Sequence, residues 1–341
     1  MNGSGRWVLP DVARGVAITA MLIAHAGPFV SGAGRPALDT IARLSDLASP
    51  LFSLVMGMAA AIVLARDRHV PGFLWQQAVR GLVLIGLGAW MDQWGTWIAI
   101  VLSNLGITLL VGSLVLVLGA WVTAVTAVAV LVVSQPLLES VARAAGPLDY
   151  YATDLESYLL RWTALDPYYR LVNLLPFFLV GALLARWGYA GRPDVRVSGA
   201  MVVAGVVGAA VLTTSRFPAP EARVSGTYAD TAHDVTQVLV AVGVIGLALA
   251  WRPTAAVLRP FAPIGVVALS LYVAHGAVVA LLADTVYADT GGRPAPGTVD
   301  WTTFVVFVGG FLLLSWAWGR WIGRAPIEWA LGFVTRRRVR A

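Results

Sequence analysis

The chain has 341 residues, 58% of them hydrophobic and only 12% charged, with a formal net charge of +6. So little charge cannot cover a water-soluble surface of this size, so lipid is the main solvent and a sizeable soluble domain is excluded. The absence of cysteine excludes disulfides, thiolate nucleophiles and Cys-ligated metals.

Each bilayer crossing takes roughly 20 apolar residues. The apolar runs predict about ten spans, at 12–31, 46–65, 78–91, 98–117, 120–138, 170–186, 197–214, 234–251, 264–283 and 301–321. The first run follows Arg6, as a signal peptide would. However, Asp11 and Arg14 stand at its start and no A-x-A-like site follows, so it reads as a retained helix. Spans four and five are almost contiguous and can form one bent pair. Three connections are long: 32–45, 139–169 and 215–233. The middle one carries Asp149, Tyr150, Tyr151, Asp154, Glu156, Tyr158, Tyr168 and Tyr169. That composition suits either a lid that stacks on a sugar or an aromatic belt at headgroup level. Residues 325–341 read as a short amphipathic basic tail on anionic lipid, ending in Arg336-Arg337-Arg338-Val339-Arg340. The expected fold is an all-α, polytopic transmembrane helical bundle, with residues 1–341 forming one integral membrane domain.

All 24 basic residues are arginine, which points to a GC-rich bacterial genome. With the N-terminus inside, sixteen of these 24 arginines fall on the cytoplasmic side and eight outside. The positive-inside rule therefore puts both termini in the cytoplasm and a multi-pass protein in the cell membrane. The same rule accounts for the net charge without a nucleic-acid partner.

Ionisable groups at membrane depth are costly and are functional candidates by default. On the first helix, Asp11, Arg14 and His25 fall within an arc of roughly 60° at 100° per residue. One face thus offers an acid, a cation at the inner mouth and an imidazole about 16 Å further along the axis. Pro28 should loosen the helix just past His25 and free a carbonyl near the imidazole. The alternative is an interfacial Asp11–Arg14 pair, with His25 satisfied by a neighbouring helix. His275, near mid-depth of the ninth span, either meets His25 across the bundle or bonds a serine or backbone carbonyl. Arg80 opens the third span on the inner side, where a phosphate can be held. Asp46 and Asp92, at the outer ends of their spans, and Asn104 join His275 as candidates for acceptor binding. His233 and His69 read as solvated loop-end residues. No H-E-x-x-H, P-loop or G-x-G-x-x-G after a strand is present, so no metal or nucleotide-fold chemistry is expected.

Four segments together resemble the transmembrane acyltransferase superfamily that includes heparan-α-glucosaminide N-acetyltransferase and the YeiB-like proteins. More distantly they resemble the polysaccharide O-acyltransferases. Leu9-Pro10-Asp11-Val12-Ala13-Arg14-Gly15-Val16-Ala17 is similar to the opening L-D-x-x-R-G-x-A, and Arg14 to His25 to the R-x10-H pattern. Residues Asp46 to Gly57 resemble the second-helix P-x-F-x-F-x-x-G signature, Arg80 to Gly88 the start of the third helix, and Ala325-Pro326-Ile327-Glu328-Trp329 the closing P-x-E-W. Ser103-Asn104 stands where that family tends to carry Gln-Arg.

The resemblance implies transfer of an acyl group, acetyl in the first instance, from cytoplasmic acyl-CoA to a hydroxyl or amine of an extracytoplasmic sugar or envelope acceptor. His25 would be the catalytic base or acyl carrier, supported by Asp11 and Arg14. Arg14 and Arg80 would hold the phosphates of acyl-CoA, a co-substrate. The expected partners are membrane lipid and a small-molecule or glycan acceptor, with homo-oligomerisation left open. A transporter using the same polar axis is the competing expectation.

Overall fold

The computed structural model describes residues 8–66, 69–145, 154–189, 194–214 and 225–335. Among them the chain is helical, without strands, as the apolar runs require. In chain order the helices are α1 (Leu9–Ala26), α2 (Arg35–Arg66), α3 (Val70–Met91), α4 (Leu102–Val117), α5 (Ala120–Ala145), α6 (Leu155–Leu160) and α7 (Leu171–Leu183). They continue as α8 (Val195–Thr214), α9 (Tyr228–Ala250), α10 (Arg252–Leu258), α11 (Phe261–Val266), α12 (Ala268–Thr285), α13 (Trp301–Ala317) and α14 (Pro326–Val334). Nine helical stretches among the described residues are long and apolar enough to cross a membrane, and α4 is a shorter apolar helix. Together they occupy the ten expected positions.

The boundaries differ in informative ways. Helix α2 runs 32 residues, so the outer segment expected at 32–45 is largely its first turns. The ninth span is not one helix. It breaks at Val267 into α11 and α12, with Val267 at φ −109° and ψ 16°. The turn between α4 and α5 uses Gly119 at φ +106°, a conformation that a β-carbon would strain. Residues 146–153 of the connection at 139–169 and residues 215–224 of the one at 215–233 lie outside the described residues, as do Arg336 to Arg340 of the tail.

Helices α1 and α2 form the centre, with 56% and 67% of their apolar windows buried, against 17% for the stretches containing α3, α5, α8 and α13. Those outer helices present large side chains such as Trp121, Val203 and Leu313 to the surrounding lipid. Lipid gives helix association no hydrophobic drive, so small residues that let backbones approach become decisive. A β-carbon on Gly57 of α2 would lie 1.8 Å from the Phe178 carbonyl oxygen of α7. One on Gly265 of α11 would lie 1.9 Å from the Asp11 carbonyl oxygen of α1. These two contacts lock α7 onto α2 and α11 onto α1. A hydrophobic cluster built on Ile18, Leu22, Phe29, Met91, Leu102 and Leu271 then joins α1, α3, α4 and α12 around the site.

At one end of the bundle the exit of α1 is tied to the entry of α13. Gly32 donates its N–H to the Thr298 carbonyl at 2.8 Å and Asp300 donates to the Phe29 carbonyl at 2.8 Å. At the other end α14 is bound into the bundle through Glu328. Its Oε1 accepts the N–H groups of Leu269 at 2.7 Å and Ser270 at 3.0 Å, and its Oε2 accepts the Ser270 hydroxyl at 2.5 Å. The N–H groups opening α12 have no intrahelical partner, and a carboxylate there satisfies them and favours the helix dipole. The closing motif is therefore the cap of the helix that carries His275. Trp329 and Phe333, on the same short helix, remain exposed.

Candidate active site

The site is built from two histidines on different helices. His25 stands one residue before the end of α1, and His275 is fully buried in α12. Their Nδ1 and Nε2 atoms are 2.8 Å apart, with the rings within 17° of parallel. The other nitrogen of His275, Nδ1, lies 3.3 Å from the Leu271 carbonyl oxygen. A carbonyl can only accept, so Nδ1 of His275 carries the proton and its Nε2 is the lone pair. That lone pair accepts the Nδ1–H of His25, which leaves Nε2 of His25 as the unprotonated nitrogen. Orientation of one ring nitrogen by a partner on the other is the arrangement a general base needs.

The surrounding contacts fix this imidazole further. The helix gives way to a 3-10 turn at Gly27–Val30, and the His25 carbonyl accepts the Trp97 indole N–H at 3.1 Å. Trp97 packs with Phe29 and Tyr287, at ring centroid separations of 5.9 and 5.8 Å, to form an aromatic wall. A narrow cavity of about 10 Å³, close to the volume of one water, opens beside His25. Ser45, Ser49, Phe52, Tyr169 and Tyr272 are among the residues that line it.

Tyr169 reaches the cavity from the connection before α7, held by two side chains. Asn104 donates to the Tyr169 carbonyl at 2.7 Å, and Asp166 accepts the N–H groups of Tyr168 and Tyr169, each at 2.7 Å. Burial pushes the Asp166 carboxyl above its ordinary range, opposed by those backbone N–H groups, and burial likewise raises the Tyr169 phenol. Asn104 thus positions a wall of the cavity. Asp92 caps the end of α3 and sits within electrostatic range of Asp166 and Arg161. Asp46 lies 4.0 Å from His233. His69 is an N-cap, accepting the Gly72 N–H at 3.1 Å.

Asp11 and Arg14 form a 3.6 Å pair near the start of α1, and Arg14 also reaches the Gly265 carbonyl at 3.5 Å. They are separate from the histidine pair, since α1 contributes Met21, Ala24 and His25 to the cavity. Arg80 of α3 lies within electrostatic range of Arg14 and of Arg324, which precedes α14. Arg80 is half-buried and makes no hydrogen bond or ion pair among the described residues. A charged guanidinium at membrane depth costs roughly 2.5–3.5 kcal/mol on insertion scales, so Arg80 favours an anion nearby, whereas Arg14 already has Asp11 as its counter-charge.

The sequence alone points to both histidines, and to Tyr169 only as one of several aromatics of an outer connection, but not to Tyr272, Trp97, Ser45 or Ser49. Tyr272 carried a signal, since it lies three residues before His275 on the same helix face. Tyr169 carried only the aromatic composition of its connection, because tertiary packing alone brings that connection to the cavity.

These features define a multi-pass helical membrane protein with a paired-imidazole site in its interior and a cluster of guanidinium groups toward one end. Residues 6–213 match the family described as heparan-alpha-glucosaminide N-acetyltransferase, catalytic. Residues 191–338 match DUF418, described as a protein of unknown function. No curated protein matches the chain. The chain belongs to the heparan-alpha-glucosaminide N-acetyltransferase catalytic family.

Proposed function

We propose that the protein transfers an acyl group, acetyl in the first instance, from a CoA thioester at the Arg14 end to a hydroxyl or amine acceptor entering the His25 cavity from the opposite end. The observation that carries this reading is the histidine pair, whose hydrogen bonds leave Nε2 of His25 as a lone pair beside a small cavity. His25 takes the acceptor proton, and His275 holds the ring in the required tautomer. Arg80, without a counter-charge among the described residues, and Arg14 suit the donor phosphates, for which guanidinium geometry is well matched. The axial distance from Arg14 to His25, about 16 Å, suits the extended pantetheine arm of a CoA thioester. The arginine bias supports donor entry from the cytoplasm, and the aromatic wall of Phe29, Trp97 and Tyr287 supports a sugar-like acceptor.

The test is transfer from labelled acetyl-CoA in membrane vesicles, comparing the native chain with His25→Ala. The variant should lose a factor of about 10²–10⁴ in kcat. Transfer at the native rate would remove His25 from the chemistry. Direct binding of CoA, weakened by Arg80→Ala, separates this reading from a transporter, which has no use for the nucleotide.

A further inference from the structure

Tyr272 lies one turn before His275 on α12 and lines the same cavity as His25. It is 3% exposed, and its ring packs edge-on against His275 with centroids 5.2 Å apart. Its oxygen accepts the backbone N–H of Val101 at 3.2 Å. A phenol that accepts through its oxygen keeps its own O–H for donation. No described residue accepts that hydrogen. The oxygen is thus fixed by backbone from one side, on a helix rather than a loop, with a donor left over beside the imidazole. Tyr169, the other phenol of the cavity, lies near the Ser49 hydroxyl and comes from a connecting segment.

We propose that Tyr272 is a catalytic residue that donates its O–H to the oxyanion of the tetrahedral intermediate; this rests on the acyltransferase reading above. As Nε2 of His25 removes the acceptor proton, the acceptor atom bonds to the thioester carbonyl carbon and the carbonyl π pair moves onto oxygen. Tyr272 stabilises that oxyanion. The pair then returns to re-form the carbonyl, the C–S bond breaks, and the CoA thiolate takes the proton from His25. A preorganised donor in a water-poor site is worth far more than in water, because it need not reorient when charge develops.

The experiment compares Tyr272→Phe, His25→Ala and the native chain with labelled acetyl-CoA in vesicles. Tyr272→Phe keeps the ring and deletes one oxygen. It should lower kcat by about 10²–10³ while leaving the KM for acetyl-CoA unchanged. A Tyr272→Phe enzyme at native kcat, alongside an inactive His25→Ala, overturns this proposal and spares the acyltransferase reading. His25→Ala at native rate overturns that reading itself. A fluorotyrosine at 272 retains the Val101 contact and strengthens the donor, so it keeps the test valid if the phenylalanine variant folds poorly. Its kcat should rise at neutral pH, and an unchanged kcat contradicts the assignment.

Discussion

A neutral imidazole offers one donor and one acceptor, and at His25 the choice is made by the Leu271 carbonyl on another helix, acting through His275. If His275 serves to hold that tautomer, His275→Ala should lower kcat about 10- to 10²-fold with the KM for acetyl-CoA unchanged. His275→Gln, whose carbonyl can accept the same Nδ1–H, should recover part of the loss. Equal losses in steady-state kinetics of the two variants would show that His275 does something other than accept that hydrogen. Both histidines are legible in the sequence because imidazoles are rare and costly in apolar spans. Their partnership is legible only as one of two alternatives, a meeting across the bundle or a bond to a serine or backbone carbonyl, since a contact between residues 250 positions apart leaves no periodic trace. The structure holds both the meeting and the Leu271 carbonyl contact. The stripe of Asp11, Arg14 and His25 is legible as helical geometry, but in the structure it serves two separate places. Arg14 turns to Asp11 and the Gly265 carbonyl, while His25 turns to α12.

Among the helices, the connection of most consequence is the one from α14 to α12. Glu328 supplies what the broken ninth span lacks, acceptors for the N–H groups at the start of α12. Hydrogen bonds to a charged group contribute about 1.5–3 kcal/mol, so Glu328→Ala should destabilise the protein by about 2 kcal/mol. Faster amide exchange should concentrate at Leu269 and Ser270, and kcat should fall because His275 shares that helix. Hydrogen exchange with thermal unfolding in detergent checks this, and unchanged exchange at those two amides would contradict it. Hydropathy shows 264–283 as one run because both pieces are apolar. The break depends on a carboxylate about sixty residues away, which no local window contains. A short helix in the tail was legible and is present over Pro326–Val334, whereas its carboxylate anchor to α12 was not. Spans such as Ala120–Ala145 and Val195–Thr214 were plain because their apolar runs face lipid and need no partner to be recognised.

For the molecule as a whole, the account requires donor and acceptor to meet from opposite ends of the bundle. The arginine bias predicts that both termini face the cytoplasm. The chain has no cysteine, so single replacements report sidedness cleanly. Arg252→Cys should react with an impermeant maleimide only after permeabilisation of cells, and Asp289→Cys should react in intact cells. The reverse pattern would invert the donor side. The central claim, that a CoA thioester held at the Arg14 end delivers its acyl group to His25, is tested most directly by a cryo-EM structure with a non-hydrolysable acetyl-CoA analogue. The account predicts the phosphates at Arg14 and Arg80 and the acyl carbon in the cavity between His25 and Tyr272. A nucleotide bound at the other end, or an acyl group remote from His25, would contradict it.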